Sequence, residues 1–227
     1  MHIDERHYQE TARAYAKRVL KDNIISMDLK PGAMVSENEL AEQMGLSRTP
    51  VREALMDLAQ FGLVDVLPQR GSRISLIDYQ LVEEARFVRQ VLETAILPLV
   101  CENATPADLN QLRQNVRMQL ISQEPGMAGS FDLMELDNNF PRMLFRIAHK
   151  ENTMRILEGM TIHFDRVRAL RLSVVKDQKI ISDHQAICDA IAEKDAARAI
   201  AVMEVHLSRV KVDEEAIRRV CPQYIKA

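Results

Sequence analysis

The sequence predicts a mainly α fold: three helices and a β-hairpin in its first third, then an all-α antiparallel helical bundle. Three observations carry this. Helix caps and helix breakers crowd the segment before residue 78. The two strand-like runs lie there as well. Beyond residue 78, long apolar patterns of helical period follow one another. The expected division is therefore residues 1–77 and 78–227.

A first helix is expected over 6–27, with Ala14, Val19 and Ile24 inward, stopped by Lys30-Pro31-Gly32. Ser36-Glu37-Asn38-Glu39 starts a second helix, since Ser36 can cap the Glu39 amide and the Glu39 carboxylate can reach back. Leu40, Ala41 and Met44 give it an apolar face, and Gly45 ends it. Ser47 opens a third helix with Pro50 in its first turn, where a missing N–H costs little. Val51, Ala54, Leu55 and Leu58 form one buried stripe. Phe61-Gly62 closes it. Residues 63–67 and 73–77 read as short strands around the turn Pro68-Gln69-Arg70-Gly71-Ser72. Helix, helix, short turn, helix and hairpin make a winged helix-turn-helix. Further helices are expected at 78–103, 106–122, 130–149, 152–172, 178–193 and 196–219, with a cap at Thr105-Pro106-Ala107-Asp108 and a break at Glu124-Pro125-Gly126.

Bulk composition narrows the class. The chain has 227 residues, 47% hydrophobic and 28% charged, enough for a large core without disulfides. Cys101, Cys188 and Cys221 lie far apart with no CxxC spacing, which argues against a zinc knuckle and for a reducing, cytoplasmic setting. No apolar run approaches a membrane span, and the N-terminus lacks a signal-peptide stretch. Net charge is −3 overall, and residues 1–77 carry ten basic and eleven acidic side chains. A nucleic-acid partner therefore has to be argued from where the arginines fall. The near-neutral first third speaks against a non-specific architectural DNA protein, which relies on phosphate neutralisation.

The arginines fall in a telling place. Arg48 and Arg52 are four apart and share a face of the third helix, opposite its apolar stripe. Ser47 and Thr49 stand at the helix start, where unpaired amides and the helix dipole favour phosphate. Such a helix can offer donors to phosphates and to guanine O6/N7. Arg70 and Gly71 at the wing tip can reach a phosphate or the adjacent minor groove.

Residues 24–75 resemble the GntR family of bacterial regulators. The resemblance rests on Leu29-Lys30-Pro31-Gly32, Ser36 through Ala41, Leu46 through Leu55, Leu58, Gly62-Leu63-Val64 and Arg70-Gly71. It implies operator contacts by Arg48, Thr49, Arg52 and Gly71. Asn38 stands where that family often has an arginine.

In the second half, stripes place ionisable groups inward. Leu133, Asp137, Phe140, Leu144 and Ile147 form one, and Ile180, His184, Ile187 and Ile191 another. His206 lies at the edge of a third, with Met203, Leu207 and Val210. His163 falls on a stripe with Ile156, Met160, Val167 and Leu170. An acid and two imidazoles aimed into a core need partners, and their oxygen and nitrogen donors suit zinc, manganese, nickel or iron. Equally, the histidines can be core residues donating to Asp137 or to carbonyls. Arg89 lies beside the stripe Ala85, Val88, Leu92, Ala95, Leu99, to meet an anion or to bridge to Glu93. Arg166, Arg168 and Arg171 read as a solvated basic run.

Residues 78–215 resemble the FadR-like subgroup, whose ligand-binding bundle is the FCD domain. The carriers are Arg89 with Glu93, Asp137 with Phe140, Asn152, His184 through Ala190-Ile191, Asp195, Ala199 and His206. The resemblance implies one divalent metal (Zn, Mn or Ni) on Asp137, a histidine four residues later, His184 and His206, holding a carboxylate effector. The residue four after Asp137 is Pro141, which cannot ligate, and His163 is the candidate substitute. It also implies a homodimeric, effector-controlled repressor of operator DNA. A metal-dependent hydrolase is disfavoured, because no His-Asp dipeptide, acid-rich metal motif or nucleophile-base-acid set is present.

Overall fold

The computed structural model describes residues 1–124, 133–174 and 179–226, without the side chains of 172–174, 212 and 213. The expected break at Pro125-Gly126 and helix starts at 130 and 178 fall outside these residues.

Thr11 accepts a bond from the Ala14 amide and caps α1 (Ala12–Ile25). The helix is shorter than the expected 6–27 because this cap begins it and Ser26 ends it. Ala14 is exposed, and the inward set is Tyr15, Ala16, Val19, Leu20 and Ile24, with Asn23. β1 (Met34–Val35) follows, a two-residue strand that the sequence did not announce. The Ser36 hydroxyl accepts from the Glu39 amide at 3.5 Å at the start of α2 (Glu37–Met44), and Gly45 closes that helix in the left-handed region with φ 64°. α3 (Arg48–Gln60) buries Val51, Ala54, Leu55 and Leu58. Each such Val or Leu contributes about 1.5–3 kcal/mol to anchoring the helix.

β2 (Val64–Leu67) and β3 (Gly71–Ile74) pair antiparallel, Val64 opposite Ile74 and Leu67 opposite Gly71, and β1 adds to β3. The sheet order is β1-β3-β2. Gly71 has φ 90°, the left-handed turn exit that glycine adopts without strain.

The helices that follow are α4 (Tyr79–Asn103), α5 (Pro106–Ser122), α6 (Leu133–Ile147), α7 (Glu151–Met160), α8 (Ile162–Val174), α9 (Lys179–Ala192) and α10 (Ala196–Val220). Thr105 caps α5, as expected, and the Asp108 carboxylate accepts in return from the Thr105 amide at 3.1 Å. The single helix expected over 152–172 is two, because Thr161 leaves the helical region at φ −100°, ψ 8°. The stripe read across that break therefore does not exist: Ile156 and Met160 are exposed, while His163, Val167 and Leu170 are buried.

The chain divides into two compact units. The first comprises residues 1–82, 162–174 and 215–227; the second comprises 83–161 and 175–214. In the first unit α1 packs on α3 and α8, and Ile77 pairs with Ile225 near the C-terminus. Its core runs through Ala16, Leu20, Ile24, Leu55, Leu58 and Ile74. In the second, α5 packs on α6 and α9, and α6 on α7. No helix among the described residues is long and apolar enough to cross a membrane.

Candidate nucleic-acid interface and effector site

The reading face of the first unit starts at Ser47. This residue is the N-cap of α3 but makes no side-chain capping bond, so the hydroxyl and the first amides of the helix remain open. Ser47, Arg48, Thr49 and Arg52 are all exposed, as are Asn38 on α2 and Arg70 and Gly71 at the wing tip. Arg48 Nε donates to Glu37 Oε2 at 2.6 Å, with the arginine side chain 65% exposed. Such a pair in water is worth little and exchanges readily for a phosphate. Within the wing, Arg73 donates to Asp65 across the β2–β3 ladder at 2.8 Å, leaving Arg70 as the cation at the tip.

The second unit holds a buried ion pair. Arg89 Nε donates to Glu93 Oε1 at 2.5 Å, and both side chains are nearly inaccessible. Of the two readings of Arg89, the structure shows the bridge. The buried face of α4 in this unit runs through Ala85, Arg89, Glu93, Ile96, Leu97 and Val100, and Ala95 is exposed.

Asp137 and His184 are brought together, with His184 Nε2 at 3.7 Å from Asp137 Oδ1. The His184 ring stacks on Phe140 at 4.1 Å and lies 4.7 Å from the His206 ring. Its orientation follows from a chain of amides. The Leu136 carbonyl can only accept, and it receives Asn115 Nδ2 at 3.0 Å and Gln119 Nε2 at 3.3 Å. Gln119 Nε2 also donates to Asn115 Oδ1, so Gln119 Oε1 faces His184 Nδ1 at 3.0 Å. His184 Nδ1 therefore carries the proton, and Nε2 is turned to Asp137. Sequence reasoning missed Gln119 and Asn115; their spacing of four on α5 was the available signal.

His206 Nδ1 lies 3.6 Å from Asp183 Oδ2, and Arg209 Nη2 donates to Asp183 Oδ1 at 2.7 Å. Burial raises the Asp183 carboxyl, but the neighbouring Arg209 and His206 outweigh it and hold the pKa at about 2.

The metal expected from the resemblance finds no cage here. Among the described residues no three His, Cys, Asp or Glu side chains gather as a metal ion requires. Pro141 is buried inside α6 where a fourth donor was expected. His206 faces Asp183, already bound by a guanidinium. His163 does not join Asp137 and His184: it belongs to the first unit, where Nε2 lies 2.8 Å from the Phe61 carbonyl. The donor set left is the pair Asp137 and His184.

A cavity of about 590 Å³ opens between α6 and α7, lined by Asn115, Arg142, Met143, Arg146, Met154 and Arg155 among others. Arg142 is bound by Glu135 and Glu158, whereas Arg155 bonds to the neutral amide of Asn152. Asn115 thus lines the cavity and begins the amide chain to His184. The basic run on α8 is not a solvated face: Arg166, Arg168 and Arg171 are all buried.

Residues 12–74 match the bacterial regulatory proteins, gntR family, and residues 84–209 match the FCD domain. A transcriptional regulator encoded in an unstable DNA locus of Streptomyces ambofaciens is 37% identical over 205 residues, 90% of this chain and 85% of that protein. The HTH-type transcriptional repressor RspR of Escherichia coli K12 is 31% identical over 203 residues, 89% of this chain and 88% of that one. The solved structure of E. coli McbR/YncC, 20% identical, superposes with a TM-score of 0.74 over 92% of this chain and 98% of that chain, a likeness of fold. These families and relatives are transcriptional regulators and not enzymes. The chain belongs to the GntR family, as a transcriptional regulator with a winged helix-turn-helix for DNA and a C-terminal FCD domain.

Proposed function

We propose that this regulator is a homodimeric repressor that reads a palindromic operator and releases it when a small organic acid binds its FCD domain. The observation that carries the reading is the face of α3: Ser47, Arg48, Thr49 and Arg52 exposed on one side, Val51, Ala54, Leu55 and Leu58 buried on the other. Thr49, Arg48 and Arg52 are assigned to the major groove, the open amides of the α3 start and Asn38 to phosphates, and Arg70 with Gly71 to the flanking backbone or minor groove. Two such helices in a dimer meet half-sites about one DNA turn apart. The repressor sign follows RspR, whose name gives it that role.

The acid character of the effector is supported by the cavity between α6 and α7. Its volume lies in the range of small-molecule sites, and although Glu151 and Glu158 also line it, Arg155 there forms no ion pair among the described residues. Arg89 is assigned to holding α4 through Glu93 rather than to the effector. Binding of an effector that prefers the DNA-free arrangement weakens operator affinity, and by reciprocity the operator weakens effector affinity equally.

The test is a selected operator titrated with the protein in an ultracentrifuge, then with a panel of small mono- and dicarboxylates. Two chains per palindrome and release by at least one acid, lost in Arg155→Ala, are expected. One chain per site, or no acid effect, contradicts the dimer or the effector assignment respectively. Zinc, manganese and nickel titrations of wild type and Pro141→His address the metal. Added affinity in the variant alone identifies Pro141 as what keeps the Asp137–His184 pair from a full ligand set.

A further inference from the structure

Arg166 is the most unusual charge in the first unit. It is fully buried, yet among the described residues its hydrogen bonds go to one serine: Nη1 to Ser75 Oγ at 3.0 Å and Nη2 to the Ser75 carbonyl at 2.6 Å. Its Nε is buried and finds no hydrogen-bond partner among the described residues. Burial lowers its pKa to about 10, partly offset by the charge of Asp65. A buried cation without a directly bonded carboxylate is expensive, so the bonds it makes require a reason.

The position of Ser75 supplies one. β3 ends at Ile74, and the Ser75 amide still donates to Leu63 at 3.0 Å, so Ser75 is the base of the wing. Three residues earlier on α8, His163 meets the other end of the reading apparatus. Its Nε2 lies 2.8 Å from the carbonyl of Phe61, the C-cap of α3. A carbonyl only accepts, so Nε2 donates. The fit is close: a Cβ on Gly62, which has φ 69°, would meet His163 Nε2 at 3.4 Å. α8 also packs on α1, which packs on α3. One face of a single helix thus ties the end of the recognition helix to the base of the wing. That helix lies within the FCD match, residues 84–209, yet packs in the first unit.

We propose that α8 sets the angle between α3 and the wing, with Arg166 and His163 as positioning residues for operator recognition, so that a displacement of α8 is felt by both DNA-reading elements. The proposal rests on operator reading by α3 and the wing. Neither residue touches DNA; both act through Ser75 and Phe61.

The test compares operator and random-sequence affinity, with their salt dependence, for wild type, Arg166→Met, Arg166→Lys and Ser75→Ala/His163→Phe, with Arg52→Ala as control. Arg166→Met should lower the operator-to-random ratio about tenfold, within the range by which residues along a coupled network modulate binding. Its salt slope should be unchanged, because no phosphate contact is removed. Arg166→Lys should recover part of the ratio, since an ammonium can still donate to the Ser75 carbonyl. A ratio within about twofold of wild type for Arg166→Met overturns the proposal, a change too small for a network position. Should Arg166→Met fail to fold, Ser75→Ala combined with His163→Phe decides, since together they remove the serine hydroxyl bond and the tie to Phe61: a lowered ratio supports the clamp, an unchanged one overturns it. An unchanged ratio in Arg52→Ala would instead contradict operator reading by α3.

Discussion

The reading face and the buried ion pairs of the FCD domain use the same charged residue types in opposite ways. On the reading face Arg48, Arg52 and Arg70 stand in water, and the tie from Arg48 to Glu37 is a surface pair that DNA can replace. In the FCD domain Arg89 and Glu93 are buried and closed on each other, as are Asp183 and Arg209 in large part. Free energy is held differently in the two places. Exposed arginines contribute little to folding and are available to a partner. Buried pairs add little net stability as pairs but are costly to break.

The largest expected effect comes from breaking a buried pair. Arg89→Ala strands the Glu93 carboxylate and should cost about 3–5 kcal/mol of unfolding free energy, read by urea denaturation. The double variant Arg89→Met/Glu93→Leu should recover most of that loss. A loss below about 1 kcal/mol in Arg89→Ala would show that the pair behaves like a surface bridge. Next, Arg52→Ala should leave stability within about 0.5 kcal/mol of wild type and weaken the operator by about 1–3 kcal/mol, the worth of a bidentate base contact. Equal weakening on random DNA would reassign Arg52 to a phosphate.

Asp183 gives the comparison a pH test. Its folded pKa, about 2, lies below the usual carboxylate value of 3.8, so its stabilisation is fully present above pH 3.8 and is lost as pH falls towards 2. Arg209→Met should flatten the stability profile in that window, measured by thermal melts. An unchanged profile would remove Asp183 as its source. The smallest effect belongs to the reading face. Glu37→Ala should change stability by under about 1 kcal/mol, and tighten DNA binding modestly by freeing Arg48.

The sequence was most legible where structure is local. Ser36, Gly45, Ser47, Pro50 and Thr105 mark helix ends through backbone preferences and caps that act within a few residues, and those ends lie where expected. Thr161 was not legible, because its departure from helix follows no proline or cap, and the stripe read through it misplaced His163. The partner of His163 is 102 residues away in sequence. Arg166 looked like a surface charge for the same reason: Ser75, which buries it, is 91 residues distant. Asp137 and His184 were correctly read as inward, since each stripe is local to one helix, but what faces them depends on α5 through Gln119.

The most direct test of the central claim is selection of bound sequences from random DNA at physiological salt, with wild type beside Arg48→Ala/Arg52→Ala. The account predicts a palindrome with half-sites about one turn apart, enriched by wild type and not by the variant. The same motif enriched by both proteins would contradict the assignment of sequence reading to the exposed face of α3.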